Sequence, residues 1–334
     1  MSPSAPVRIG TLGAARITPT ALIKPARKVP EVVVAAVAAR DAERAKAFAA
    51  KNRIQRVHST YAELIADPEI DAVYIPLPNS LHAEWTRKAL DAGKHVLCEK
   101  PFTSNATEAQ QVADLAATSD RVVMEAFHYR YHPMADRMKQ IVDSGILGEV
   151  RHIETTMCIP LPRKNDIRYQ YELAGGATMD VGCYAIHQLR LLAGAEPEVV
   201  AASAKLARPN VDRWMQADFR FPDGRTGRMT CALWSARLLD LRGRVSGTDG
   251  DFRILNPTGP QFYNSLTVRS KTRTTRERVR GEATYVYQLE AFAAAVLEGK
   301  PVLTGPADSV ANMRVVDEVY RAAGLPVRGT AVGS

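Results

Sequence analysis

The sequence predicts an α/β fold in two parts, a doubly wound parallel sheet followed by an α+β region on a mostly antiparallel sheet. Up to Ala126, short apolar runs alternate with helical stretches, as in βαβ units. After about residue 130 strand-like runs follow one another in series, the mark of an antiparallel sheet. The 334 residues also suit two domains at roughly 150 residues each. We therefore expect residues 1–126 as one domain and 127–334 as another, with a tight crossover near Glu125 to Pro133.

In the first part the apolar runs are Val7 to Leu12, Val32 to Ala38, Ala72 to Ile75, His95 to Cys98 and Val122 to Ala126. Between them Ala42 to Lys51, Ser80 to Ala92 and Asn105 to Ser119 are rich in Ala, Glu, Lys and Leu, which lose little rotamer freedom in a helix. In the second part a helix is expected at Pro133 to Ser144, with strands at Val150 to Met157, Val199 to Lys205, Met215 to Phe221 and Gly227 to Trp234. Helical patterns return at Asp180 to Ala193, Tyr285 to Glu298 and Ala307 to Ala323. The stretch Arg269 to Glu282 alternates cations with Thr and is broken by Glu277, which reads as a solvated edge strand rather than a nucleic-acid surface.

Composition narrows the function classes. Hydrophobic residues make up 46% and charged residues 24%, ordinary globular usage rather than that of a disordered chain. The net charge of +8 favours anionic partners without choosing among them. The four cysteines form no CxxC pair, so neither a disulfide framework nor a zinc site is expected, and no spaced histidine set points to another metal. With no long apolar run and no signal-like N-terminus, we expect a cytoplasmic protein without a membrane partner.

The first strand runs into Gly13, Ala14, Ala15, Arg16, Ile17 and Thr18, where a GxGxxG fingerprint would read GxAxxT. Such glycines allow a tight turn and close approach of backbone to a pyrophosphate, and Gly13 keeps the first of them. Dinucleotide binding and a plain structural turn are both open at this point. The second strand ends in Ala39 and Arg40, starting 26 residues after Gly13. A small residue followed by Arg leaves room for a 2′-phosphate and offers it a planar cation, which favours NADP over NAD. The alternative is that Arg40 and Asp41 solvate the loop, with Asp41 capping the next helix. Pro78, Asn79 and His82 follow one strand and Glu99 and Lys100 another, both at carboxyl ends, where open parallel sheets bind ligands.

These segments, with Glu125 to Pro133 (EAFHYRYHP) and Gly175 to His187 (GGATMDVGCYAIH), resemble the glucose-fructose oxidoreductase and inositol dehydrogenase family. The likeness is to its dimeric dihydrodiol dehydrogenase and NADP-dependent xylose dehydrogenase branch, and it covers nearly the whole chain in order. It implies a nicotinamide-binding Rossmann domain and a C-terminal domain with a large open sheet that often forms the oligomer interface, hence a homodimer or homotetramer. It further implies hydride transfer at a carbon of a sugar, polyol or cyclic diol. Lys100, Asp180 and Tyr184 take the catalytic positions. Cofactor contacts fall to Gly13, Ala14, Ala15, Arg16, Ile17, Ala39, Arg40, Pro78, Asn79, His82, Glu99, Lys100 and Arg168, and substrate contacts to Lys100, Tyr184 and His187. Tyr184 stands where many members have a histidine, which makes an inositol dehydrogenase a poorer match.

Spacing alone supports a shared face: Asp180, Tyr184 and His187 at i, i+4 and i+7 project from one side of a helix beside an apolar stripe of Val181, Ala185, Leu189 and Leu192. The competing structural reading has Asp180 as a cap, Tyr184 as core and His187 at the surface. In the catalytic reading Tyr184 takes the alcohol proton, with the Lys100 cation favouring the phenolate, and Asp180 orients the group. The competing function is an NADP-binding regulator without catalysis, since a fold alone does not imply activity.

Overall fold

The computed structural model describes residues 5–163 and 165–329. Two compact units emerge. The first comprises the chain up to Thr103, Thr107–Tyr131 and Ala283–Val310, and the second Ser104–Ala106, His132–Glu282 and the chain from Ala311 onward. A single division at 126/127 would assign the helix Thr284–Glu298 to the second part, yet it belongs to the first unit. Its Val286, Leu289, Phe292 and Ala293 are buried in one cluster with Val7, Ile9, Tyr74, Leu97 and Met124 of that unit's strands. Apolar burial overrides sequence distance here.

The first unit holds six strands, β1 (Val7–Leu12), β2 (Val32–Ala38), β3 (Arg56–His58), β4 (Ala72–Ile75), β5 (His95–Cys98) and β6 (Val123–Glu125). They lie in the order β3-β2-β1-β4-β5-β6, every neighbouring pair parallel. This is the doubly wound order of a Rossmann sheet, whose ligand crevice opens where the order reverses, between β1 and β4. A wide turn Pro19–Ile23 continues as α1 (Lys24–Ala26), followed by α2 (Ala42–Asn52), α3 (Tyr61–Ala66), α4 (His82–Asp91) and α5 (Ala106–Ala117). Asp41 caps α2, its carboxylate accepting from Arg44 N at 3.0 Å.

The sequence pattern misses β3 and α3, which are three and six residues long and too short for periodicity to register. A chemical signal was present all the same. Thr60 caps α3, its Oγ1 accepting from Glu63 N, while Glu63 Oε2 accepts from Ser59 N just before the cap, each at 3.0 Å.

The second unit contains α6 (Pro133–Asp143), α7 (Cys183–Ala193) and an eight-stranded sheet. Its strands are β7 (Val150–Cys158), β8 (Glu198–Arg208), β9 (Val211–Arg220), β10 (Thr226–Ala232), β11 (Asp240–Gly247), β12 (Gly250–Leu255), β13 (Ser265–Ser270) and β14 (Thr274–Glu277). The order is β14-β13-β12-β11-β7-β10-β9-β8, antiparallel throughout except for the parallel pair β7 and β10. In the first unit α8 (Thr284–Glu298) precedes α9 (Pro306–Ala322), which passes into the second unit at Ala311.

The expected charged edge strand is present as β14, though only over Thr274–Glu277. The helix expected to start at Asp180 starts earlier. A five-residue π turn, Thr178–Gly182, runs directly into α7, so Asp180 lies inside the first turn rather than capping it. The apolar stripe is as the spacing predicts, with Val181, Ala185, Leu189 and Leu192 all buried.

Candidate active site

Gly13 follows β1 with a positive φ of +106°, a backbone conformation that L side chains rarely adopt. Its amide donates to Ala38 O at 2.7 Å, joining the ends of β1 and β2. A Cβ there would lie 3.3 Å from Leu77 Cδ2 and 3.7 Å from Tyr61 Oη. Ala14 is buried, Ala15 half-buried, and Arg16 and Ile17 exposed. This turn fits a pyrophosphate: a left-handed glycine, two methyl side chains that let backbone come close, and an exposed cation at its rim.

At the end of β2, Ala39 is buried and Arg40 exposed. Three neighbours that the pattern missed complete this corner. Arg44 donates from Nη2 to Ala14 O at 2.8 Å, tying α2 to the turn. The Tyr61 hydroxyl accepts from the Arg40 backbone, and burial pushes this phenol up against the opposing charges of Arg40 and Arg44. Trp85 meets Tyr61 edge-on with ring centroids 5.0 Å apart. A small, buried Ala39 before an exposed Arg40 fits the 2′-phosphate of NADP as the sequence reading requires.

The segment after β4 carries Leu77, Pro78 and Asn79, and the one after β5 carries Glu99 and Lys100 with a cis Lys100–Pro101 peptide. His82 joins them. Its ring is fully buried, Nδ1 lying 2.7 Å from Pro101 O and Nε2 2.9 Å from Leu77 O. Burial holds its pKa below the ordinary value. Sequence reasoning made His82 a cofactor contact; in the structure its ring lies between these two carbonyls, can donate to one of them, and packs the two segments together.

Glu99 is buried and accepts from the Tyr74 hydroxyl at 2.6 Å, while Lys100 is half-buried. Nearby, His128 Nδ1 lies 2.7 Å from Thr284 Oγ1 and its ring packs on Tyr285 at 4.1 Å. Burial, reinforced by the Lys100 charge, pulls the His128 pKa down to about 3. Burial and then Glu99 push the Tyr285 phenol well up. Tyr285 had no signal in the sequence, since α8 read only as a helix packed by its apolar face.

The second unit gathers the other candidates. Arg168 Nε lies 2.8 Å from Asp180 Oδ2, and Arg168 Nη1 3.1 Å from Asp166 Oδ1. These carboxylates, Asp180 first, raise the guanidinium pKa above its ordinary value. Arg168 was expected at the cofactor or substrate; in the structure it holds Asp180. Tyr184 and His187 are both buried, at 4% exposure each, so the reading that leaves His187 at the surface fails. The candidates thus form separate groups in the two units: Gly13 to Ile17 with Ala39 and Arg40, then Pro78, Asn79, His82, Glu99 and Lys100 in the first, and Arg168, Asp180, Tyr184 and His187 in the second. Among the described residues, no three His, Cys, Asp or Glu side chains are arranged to hold a metal ion, and no helix is long and apolar enough to cross a membrane.

A doubly wound sheet with a glycine turn at its switch point is the dinucleotide-binding class of fold. Residues 7–127 match the oxidoreductase family with an NAD-binding Rossmann fold, and residues 135–253 match the GFO/IDH/MocA C-terminal domain. The chain belongs to the GFO/IDH/MocA oxidoreductase family. It is 38% identical over 318 residues to D-xylose 1-dehydrogenase (NADP(+)) 2 of Haloferax volcanii, covering 94% of this chain and 96% of that protein. It is 28% identical over 303 residues to trans-1,2-dihydrobenzene-1,2-diol dehydrogenase of Xenopus tropicalis, covering 87% of this chain and 90% of the relative. Among solved structures, a 3-ketoreductase from Actinomadura kijaniata in complex with NADP and TDP-benzene matches with a TM-score of 0.87 at 30% identity, over 95% of this chain and 98% of that one. The branch and the NADP cofactor read from the sequence both recur in these relatives.

Proposed function

We propose that the protein is an NADP-dependent dehydrogenase or reductase acting on a secondary alcohol or carbonyl carbon of a sugar, polyol or cyclic diol. The observation that carries this reading is the Arg168–Asp180 ion pair in the turn that leads into Tyr184. An acid paired with an arginine, one turn before a buried phenol, suits the handling of a hydroxyl proton. Resemblance to an NADP-dependent xylose dehydrogenase and to an NADP-bound ketoreductase supports the substrate class and the cofactor.

NADP supplies the hydride chemistry when bound. Gly13 to Ile17 would receive its pyrophosphate and Arg40 its 2′-phosphate, with Ala39 leaving the room that an acidic side chain would fill. In oxidation Tyr184 accepts the proton of the substrate hydroxyl, and in reduction it returns one to the carbonyl oxygen. Asp180 orients the hydroxyl groups by accepting from them, and Arg168 holds its carboxylate in place. The family resemblance assigns Lys100 a catalytic role and His187 a substrate contact. The family resemblance implies a homodimer or homotetramer, which solution mass measurement tests.

The test is a spectrophotometric panel of aldoses, polyols, cyclic diols and ketosugars with NADP(H) and NAD(H). Turnover of at least one class with NADP(H) in preference to NAD(H) is the expected result. Tight NADP binding without turnover of any of them would replace this reading with that of a cofactor-binding regulator.

A further inference from the structure

Beneath the turn that carries Asp180 lies a charge pair with no part in the proton transfer. Asp212 and Arg328 are both fully buried, with Arg328 Nη2 3.1 Å from Asp212 Oδ1. Such a pair is tolerated only where every polar atom around it finds a partner, because desolvating two charges is costly. Here the partners are the turn itself. Asp212 Oδ2 accepts from both Thr178 N and Thr178 Oγ1 at 2.7 Å, and Oδ1 also accepts from the Tyr320 hydroxyl at 3.0 Å. Arg328 donates from Nε to Gly175 O at 2.7 Å, and its guanidinium lies 4.0 Å from the Tyr320 ring centre.

The space explains the two glycines. A Cβ on Gly176, whose φ is +139°, would fall 2.2 Å from Asp212 Oδ1, and one on Gly175 would fall 2.7 Å from Arg168 O. The same turn grips both members of the ion pair by their backbones: Gly176 N donates to Arg168 O at 2.8 Å, and Asp180 N donates to Gly176 O at 3.0 Å. We propose that Arg328 and Asp212 are positioning residues that set the Arg168–Asp180 pair through the Gly175–Gly176 turn. Neither is a catalytic residue. This rests on the reading of Asp180 as part of the site.

The test compares wild type with the double variant Arg328→Met, Asp212→Asn, which removes both charges and so strands neither. Neither change is made alone, because each would leave the other charge buried without its partner. Arg328→Lys serves as a second variant that keeps the charge but loses the Nε bond to Gly175. Two readouts are taken on the folded full-length protein: amide hydrogen exchange across residues 175–181, and kcat against KM. Exchange faster by about tenfold or more in that segment, with kcat lower by about ten- to a hundredfold and KM for NADP near wild type, supports the proposal. Wild-type kcat in the folded variant overturns it, as does a lost kcat with unchanged exchange. If the double variant does not fold, Arg328→Lys decides on the same readouts. Failure of the functional reading is visible separately, as a wild-type protein that turns over nothing in the substrate panel, and exchange then still decides whether Arg328 holds the turn.

Discussion

Arg168 Nε and Asp180 Oδ2 stand 2.8 Å apart, and this contact changes what each residue is for. The arginine assigned to the cofactor in the sequence is thus paired with the acid and fixes how its carboxylate is oriented. Arg168→Met should therefore lower turnover by about 10²-fold, the scale of a misplaced catalytic group, and leave NADP affinity close to wild type. A matching loss of NADP affinity in titration calorimetry would return Arg168 to the cofactor.

Cofactor choice rests on Ala39 and Arg40 at the tip of β2. Arg40→Ala should weaken NADP by about 1.5 to 3 kcal/mol, the range for a hydrogen bond to a charged group, and leave NAD nearly unchanged. Calorimetric titration with both cofactors checks this; equal losses for the two would show that Arg40 does not read the 2′-phosphate.

Much of this was legible in the sequence. β1, β2, β4 and β5 have the limits that their apolar runs predict, because buried parallel strands are written as short continuous hydrophobic stretches. Tyr184 and His187 share α7 as their spacing indicates, with Asp180 in the π turn that leads into it. What escaped was whatever depends on contacts distant in sequence. Arg168 finding Asp180, His82 bridging Leu77 and Pro101, and Arg328 closing on Asp212 leave no periodic trace, since each is a single pairing across loops. Strands β11 to β13 were passed over because cations interrupt them: Arg242 and Arg244 in β11, and Arg253 in β12, are exposed positions of half-solvated strands.

His128 gives the fold a defined acid sensitivity. Folded, it stays neutral down to about 3, whereas the unfolded chain takes up its proton near the ordinary 6.5. Between those values the unfolded state binds more protons, so stability rises with pH and is lost as pH falls below about 6.5. At about pH 4.5 the loss from this group should reach about 2 to 3 kcal/mol. His128→Asn, which keeps a polar atom beside Thr284 but does not titrate, should flatten that part of the profile. An unchanged slope in denaturant unfolding between those pH values would contradict the burial argument.

The central claim is that the Tyr184 hydroxyl moves the substrate proton. Tyr184→Phe keeps the ring and its packing and removes only that group. With a substrate found in the panel, steady-state NADP(H) turnover by this variant should fall by about 10² to 10⁴, with NADP affinity and Tm near wild type. Full turnover by Tyr184→Phe would contradict the account and make His187 the next acid/base candidate.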